Sequence, residues 1–386
     1  MPNRSEQPVD LVVVGAGVIG LACAWRAAQR GMSVRVLERD LPGSGASGVA
    51  AGMLAPVGEA TWGEEGLLDL ALAAHGAWPG FAAELADATG LDVGFLGLGA
   101  LHAAFDGDEA RELRRRHELM QELGLEAEWL TPTAARELEP RLSPRCAGAV
   151  HAPHESAVDP RALVRALRAA AERKGVVIVT GAEVVGGLGG GDAIEGVRTA
   201  DGSEHAAATV LLAAGAWSAA EWLPERARPP VRPVKGEILT LRGSGPAPCE
   251  RLVLSERVYL VPRPGGHLVV GATVSERGFD TAVSAGGVHE LLREAYRALP
   301  DIAELELVGM FAGLRPGTPD NAPLVGPGAL AGLHLATGHF RNGVLMAPIT
   351  ADAVAAALAG EEPPPAIIAA DPARFRAGAP AAMAPK

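Results

Sequence analysis

The chain has 386 residues, 48% of them hydrophobic, with 46 Asp and Glu against 34 Lys and Arg and a formal net charge of -12. An apolar core of that size usually divides, so two domains are expected. The acidic balance argues against nucleic acid as the partner, because a phosphate-binding surface needs clustered excess cation. Even the basic stretch "RELRRRHELMQELG" from Arg111 has the helical spacing of a solvated face. Three cysteines, Cys23, Cys146 and Cys249, lie far apart without a C-x-x-C. They fit neither a disulfide framework nor a zinc ribbon, and point to a reduced, cytoplasmic protein. The apolar "LVVVGAGVIGLACA" follows Glu6 and Asp10 rather than a basic flank and has periodic glycines, so it reads as part of the fold and not as a signal peptide. No apolar run is long enough to span a bilayer.

In chain order, residues 10 to 14 read as a buried parallel strand. Gly15, Gly17 and Gly20 then give G-x-G-x-x-G: a tight turn, a close backbone approach to a pyrophosphate, and close packing of helix on strand. Val18 and Ile19 open the helix that follows, expected to run to about Arg30 and to stop at Gly31. A second strand, "SVRVLE", ends at Glu38, the position where an acidic residue accepts the ribose hydroxyls of an adenine dinucleotide. Glu38 with Arg39 after it does not by itself separate FAD from NAD.

"GSGASGVAAGMLAP", residues 43 to 56, is small and glycine-rich, as backbone lying against a flat or extended ligand must be. Here the chain resembles the D-amino-acid oxidase superfamily of FAD-dependent oxidoreductases, and within it the glycine oxidases of bacterial thiamine biosynthesis. In that family a small-residue segment ending in Ala-Ala-Gly-Met-Leu runs past the pyrophosphate toward the flavin; Ala46, Ser47, Ala51, Gly52 and Met53 match it.

Residues 64 to 88 have a helical pattern, and "LDVGFLGLGALHAAF" reads as two short strands. A helical hairpin is expected from Gly107 to Leu142, with Thr131-Pro132 as cap and first turn. Asp159-Pro160 starts another helix that Gly175 stops, and "VVIVTGAEVVG" reads as a buried strand. A hairpin around Asp201-Gly202 leads into a strand stopping at Gly215. The resemblance places Val184 beside the adenine and matches Ala213 to Ser218, Gly215 included, to a family segment at that strand's end. Residues 231 to 315 read as a mostly antiparallel sheet, and the last segment as strand, loop and helix, before a tail at 377–386. His151 and His154 are separated by Pro153, which breaks the helix that would put them on one face, so no metal is expected.

The fold class expected is α/β: a Rossmann-type FAD-binding domain with a second, mostly antiparallel-sheet substrate domain. The first is discontinuous, 1–85, 146–222 and 320–376; the second takes 86–145 and 223–319.

Three residues suit an enzyme that holds a substrate carboxylate. A guanidinium fixes a carboxylate best, because its planar fork gives two charge-assisted hydrogen bonds. Arg315, in "FAGLRPGTPD", sits where a strand meets a Pro-Gly turn; Tyr259, in "ERVYLVPR", is one of two tyrosines and offers a hydroxyl to the second oxygen; Arg341 lies in "GHFRNG". The three segments resemble glycine oxidase segments, and the resemblance makes Arg315 the carboxylate clamp. His339, Phe340, Arg341, Asn342, Gly343, Val344 and Leu345 then form a flavin loop, with a helix N-terminus expected just beyond Gly343. The helix dipole there suits the negative charge of reduced flavin. Arg257 lies two before Tyr259, on one face if both are in a strand, and departs from the family pattern; it is expected at the substrate pocket with Met53.

What the resemblance implies is FAD-dependent oxidation of glycine, sarcosine or small D-amino acids by dioxygen, with hydrogen peroxide as product, in thiamine biosynthesis and in a homo-oligomer, often a tetramer. Two alternatives stay open: a dehydrogenase on the same fold that passes electrons to a quinone or carrier, and a non-enzymatic flavin-binding protein.

Overall fold

In the computed structural model residues 7–60 and 62–375 are described, and the expected tail at 377–386 lies outside them. The first unit is built around the strand Val9–Val14, which pairs in parallel with Val34–Glu38 on one side and Glu204–Leu212 on the other. Between the first two runs the helix Val18–Gln29, capped by Arg30. Its entry turn needs glycine: Gly15 has φ 104°, and a Cβ there would come within 2.6 Å of the Ala213 carbonyl oxygen. No other side chain fits such a conformation so close to backbone.

Strand alternation sorts the neighbours of this sheet. Leu11 and Val13 face the helices Val18–Gln29, Glu65–Thr89, Pro160–Arg173 and Ala347–Leu358 in one core cluster. Val12 and Val14 face the opposite side, with Ile194, Val197, Leu223 and Leu330. Eight strands make the sheet, with Leu333–Thr337 running parallel beside Glu204–Leu212. Asp159 caps Pro160–Arg173 through the N–H groups of Arg161 and Ala162, as its place before Pro160 predicts.

A second eight-stranded sheet has the order Glu306–Gly317, Arg232–Arg242, His267–Gly271, Tyr259–Arg263, Leu252–Leu254, Ala100–Ala104, Gly148–Ala152, Glu128–Leu130. Every pairing in it is antiparallel except that of Leu252–Leu254 with Ala100–Ala104. Gly148–Ala152 belongs to this sheet, although its residues fall in the segment assigned to the nucleotide-binding unit from sequence.

Several expectations are corrected. The helices Gly107–Glu122 and Pro132–Leu138 do not form a simple hairpin; Glu128–Leu130 lies between them as the last strand of the second sheet, with Trp129 packed where Gly148 has no Cβ. Thr131 caps the second helix as expected, accepting from the Ala134 N–H. The stretch 176–186 is not one buried strand. It contains Val177–Thr180, an edge strand with a single neighbour, and the start of Val184–Leu188, and Val177 is 52% exposed. Within 231–315 the helix Ala285–Ala298 was missed; Ser284 caps it through the Gly287 N–H, and Leu291 and Ala295 cover the second sheet.

Candidate active site

One cavity of about 1700 Å³ runs between the two sheets. At one end Glu38, Arg39 and Val184 line it. The Glu38 carboxylate accepts from the Ala16 N–H at 2.7 Å and the Asp40 N–H at 2.9 Å, which fixes it at the end of its strand. The Arg39 guanidinium lies 4.7 Å from the centre of the Trp217 ring. Next come Gly15, Gly17, Val18 and Ile19 with Ala46 and Ser47, whose hydroxyl accepts from the Val18 N–H at 3.0 Å and so ties the small-residue segment to the glycine turn. Ala51, Gly52 and Met53 continue the wall, and Gly215 closes it from the other side. Gly20 does not reach the cavity; a Cβ there would overlap the Gly15 carbonyl, so it serves the packing of helix on turn.

Beyond Met53 the cavity enters the second sheet. Arg315 lies within the strand Glu306–Gly317 rather than at a junction with a turn, because that strand continues through Pro316, opposite Pro233. Its guanidinium crosses Gly236 of the neighbouring strand, where a Cβ would stand 2.5 Å from Cζ, and one Nη donates to the Thr273 carbonyl at 3.2 Å. Tyr259 begins its strand, and its ring crosses Gly271, where a Cβ would overlap the ring at Cζ and the hydroxyl oxygen. Burial pushes the Tyr259 hydroxyl up in pKa and the Arg315 guanidinium down, while each acts on the other's charge in the opposing direction. A cation held flat beside a phenol in a half-buried wall is a ready acceptor for a carboxylate.

Arg257 is not on that strand. It sits exposed in the turn before Tyr259, at the cavity rim, so the expected shared face does not exist. Arg341 is exposed too, and pairs with Glu59 at 2.8 Å.

The loop around Arg341 is held from several sides. His339 is buried, and its Nε2 lies 3.0 Å from the Thr350 hydroxyl. Burial holds its pKa down at about 3, so the ring is neutral and shapes the loop. Phe340 takes φ 46°, rare for a side chain of that size, and its N–H donates to the Pro316 carbonyl at 3.0 Å, joining the loop to the Arg315 strand. Asn342 is buried, and its carbonyl accepts from the Met346 N–H at 2.8 Å. The helix starts at Ala347, later than expected, after a turn through 343–346. Among the described residues no hydrogen bond uses the N–H of Gly343 or Val344, both of which line the cavity. Leu345 lies behind the wall, its carbonyl accepting from the Trp78 indole at 2.8 Å.

Sequence reading missed the supports. Gly236 and Gly271 look like ordinary strand glycines until the side chains crossing them are seen. Arg263 donates to the carbonyls of Ala51 and Val158, joining the second sheet to the segment before Met53. Glu59, Arg116, His102 and Glu155 gather around the turn 57–59 with no motif to announce them.

These residues fit FAD. A glycine turn that a Cβ would fill, a carboxylate fixed at the end of the second strand, and two unclaimed backbone donors at the far end line one continuous cavity. Fold and cavity together define a dinucleotide-cofactor oxidoreductase. The chain belongs to the FAD dependent oxidoreductase family, which it matches over residues 10–357. It is 36% identical over 343 residues to a glycine oxidase of Geobacillus kaustophilus, covering 88% of this chain and 90% of that one. A bifunctional protein ThiO/ThiG of Trichormus variabilis is 37% identical over 90% of this chain, which spans about half, 52%, of that relative. The crystal structure of glycine oxidase from Geobacillus kaustophilus superposes with a TM-score of 0.89 at 35% identity, covering 95% of this chain and 99% of that one.

Proposed function

We propose that this protein is an FAD-dependent amino-acid oxidase acting on glycine, sarcosine or small D-amino acids. It yields the imino acid, which water converts to keto acid and ammonia, and hydrogen peroxide. The single observation that carries this reading is Arg315 laid flat over Gly236 beside Tyr259 inside a cavity continuous with the dinucleotide turn. Bound FAD supplies the hydride acceptor and its reoxidation by dioxygen.

The chain's own residues supply position and electrostatics. Arg315 takes the substrate carboxylate in its fork, and Tyr259 offers a hydroxyl to the second oxygen. With FAD bound, the N–H groups of Gly343 and Val344 would be the donors available to hold it and to stabilise the negative charge it gains on reduction. The neutral His339 takes no proton in the cycle. The similarity to named glycine oxidases over most of the chain supports the choice of substrate. The matched half of the bifunctional ThiO/ThiG relatives supports a role in thiamine biosynthesis.

The proposal includes the division into an FAD-binding and a substrate-binding domain, a cytoplasmic location and a homo-oligomer. Among the described residues no helix is long and apolar enough to cross a membrane. The test is turnover of glycine with peroxide measured as product; transfer to an artificial acceptor without peroxide would assign the dehydrogenase instead.

A further inference from the structure

The strand Arg232–Arg242 uses its two faces differently. Alternation puts Lys235 and Glu237 on one face and Gly236 on the other, where the Arg315 guanidinium lies. Lys235 and Glu237 are both buried. The Lys235 ammonium donates to the Asp280 carboxylate at 2.7 Å and to the Ala282 carbonyl. The Glu237 carboxylate accepts from the Ser284 N–H at 2.6 Å and from the Ser284 and Thr273 hydroxyls, each at 3.2 Å. It fits against the start of the helix Ala285–Ala298 because Gly287 has no Cβ there. The segment 273–284 is thereby fastened to the strand that Arg315 lies across.

That segment begins as a short ladder. Lys235 and Ser275 exchange both backbone hydrogen bonds, the Lys235 N–H donating at 2.8 Å and the Ser275 N–H at 3.0 Å. Glu237 and Thr273 stand where the next such pair is due, since exchanging pairs alternate along an antiparallel ladder. Half of the pair is made, with the Thr273 N–H donating to the Glu237 carbonyl at 3.2 Å. The Glu237 N–H, however, donates to the Thr273 hydroxyl at 2.9 Å and not to the Thr273 carbonyl. That carbonyl accepts instead from Nη1 of Arg315 at 3.2 Å, and the same nitrogen reaches the Lys235 carbonyl at 3.4 Å.

We propose that Thr273 is a positioning residue for the Arg315 clamp: its hydroxyl takes the place of its own carbonyl in the ladder and so releases that carbonyl to the guanidinium. A hydroxyl has one donor and two acceptor directions, and here it accepts from the Glu237 N–H while its hydrogen goes to the Glu237 carboxylate. The side chain is therefore held in both roles. Two carbonyls gathered on Nη1 fix the rotation of the planar group, and with it the direction of the fork. Resting on the function proposed above, that direction decides how well the fork meets the substrate carboxylate. Thr273 is not part of the cavity wall, so it acts on carboxylate affinity without touching the substrate. Without the hydroxyl, the Glu237 N–H is left to take the carbonyl back from Arg315.

The experiment compares FAD-loaded wild type, T273V and T273S, measuring KM for glycine and the inhibition constant of acetate. Valine keeps the shape and removes the hydroxyl; serine keeps the hydroxyl. T273V is expected to raise both constants by the same factor, about 3- to 10-fold, as for one ordinary hydrogen bond, while T273S stays within about twofold of wild type. In an R315K background T273V should add less than about twofold, because the group it acts through has gone. A Thr273 that only supports the fold would lower Tm in T273V and leave both constants unchanged, which overturns the proposal. A T273S as impaired as T273V, or a full T273V effect in R315K, overturns it too. Should T273V purify without FAD, T273C, whose thiol accepts weakly, decides on the same two constants. A wild type that holds FAD and turns over no amino acid contradicts the proposed function instead, and acetate binding read from the visible spectrum still tests Thr273.

Discussion

The Arg315 guanidinium lies across Gly236, so close that a methyl group on that glycine would stand 2.5 Å from Cζ. Gly236 is therefore the bed for the guanidinium, while Val49 packs where its ladder partner Gly313 has no Cβ. Gly236→Ala is expected to displace Arg315 and leave the sheet intact, since overpacking costs about 1–3 kcal/mol and Gly236 is not among the glycines with positive φ. Glycine kcat/KM should fall at least about tenfold while FAD stays bound. Steady-state kinetics beside the visible spectrum check both parts; unchanged kinetics would mean that the bed is not needed.

Arg315→Lys keeps the charge and loses the fork. Replacing a bidentate contact by a point charge removes about 1.5–3 kcal/mol, or about 10- to 150-fold in kcat/KM. The loss should appear with every substrate that carries an α-carboxylate, and a panel of glycine, sarcosine and D-alanine checks it.

Arg257 carries a smaller expectation. Exposed in a turn, it is screened by solvent, and exposed pairs contribute about 1 kcal/mol or less. Arg257→Ala should change the ratio of kcat/KM for D-aspartate over glycine by no more than about fivefold.

How much of this was legible in the sequence depends on the range over which each signal acts. The dinucleotide unit was legible because strand, glycine turn, helix and Glu38 lie within one local stretch, although the close neighbours of Gly15 and Gly17, Ala213 and Ser47, lie outside it. Arg315 and Tyr259 stood out as polar groups in apolar strands. Gly236 and Gly271 did not, because their meaning comes from a side chain on a neighbouring strand. Glu59 was invisible for the same reason: Arg341, Glu155 and Arg116 reach it or its turn from distant parts of the chain. The helix Ala285–Ala298 was different, since Ser284 and the spacing of Val288, Leu291, Leu292 and Ala295 announce it, and Gly286-Gly287 at its start masked the signal as a turn.

Glu155 predicts a pH effect on stability. Burial raises its carboxyl from 4.5 to about 8, so its contribution is fully present below pH 4.5 and is lost as pH rises to about 8. E155Q has no such proton to lose. The Tm of wild type relative to E155Q should therefore fall as pH is raised across that window, and a constant difference would contradict the assignment.

His339 has the opposite sign. Burial lowers it from 6.5 to about 3, so its contribution is fully present above pH 6.5 and is lost as pH falls toward 3. H339N, which does not titrate, should lose less Tm than wild type between about pH 7 and about pH 5.

The central claim is that the cavity holds FAD and that an amino acid clamped by Arg315 reduces it. The visible spectrum of the purified protein, recorded anaerobically before and after glycine and again after air, tests it most directly. The account predicts a yellow protein that bleaches with glycine and recolours in air with release of peroxide. A yellow protein that no amino acid bleaches, or a colourless one that takes up no FAD, would contradict it.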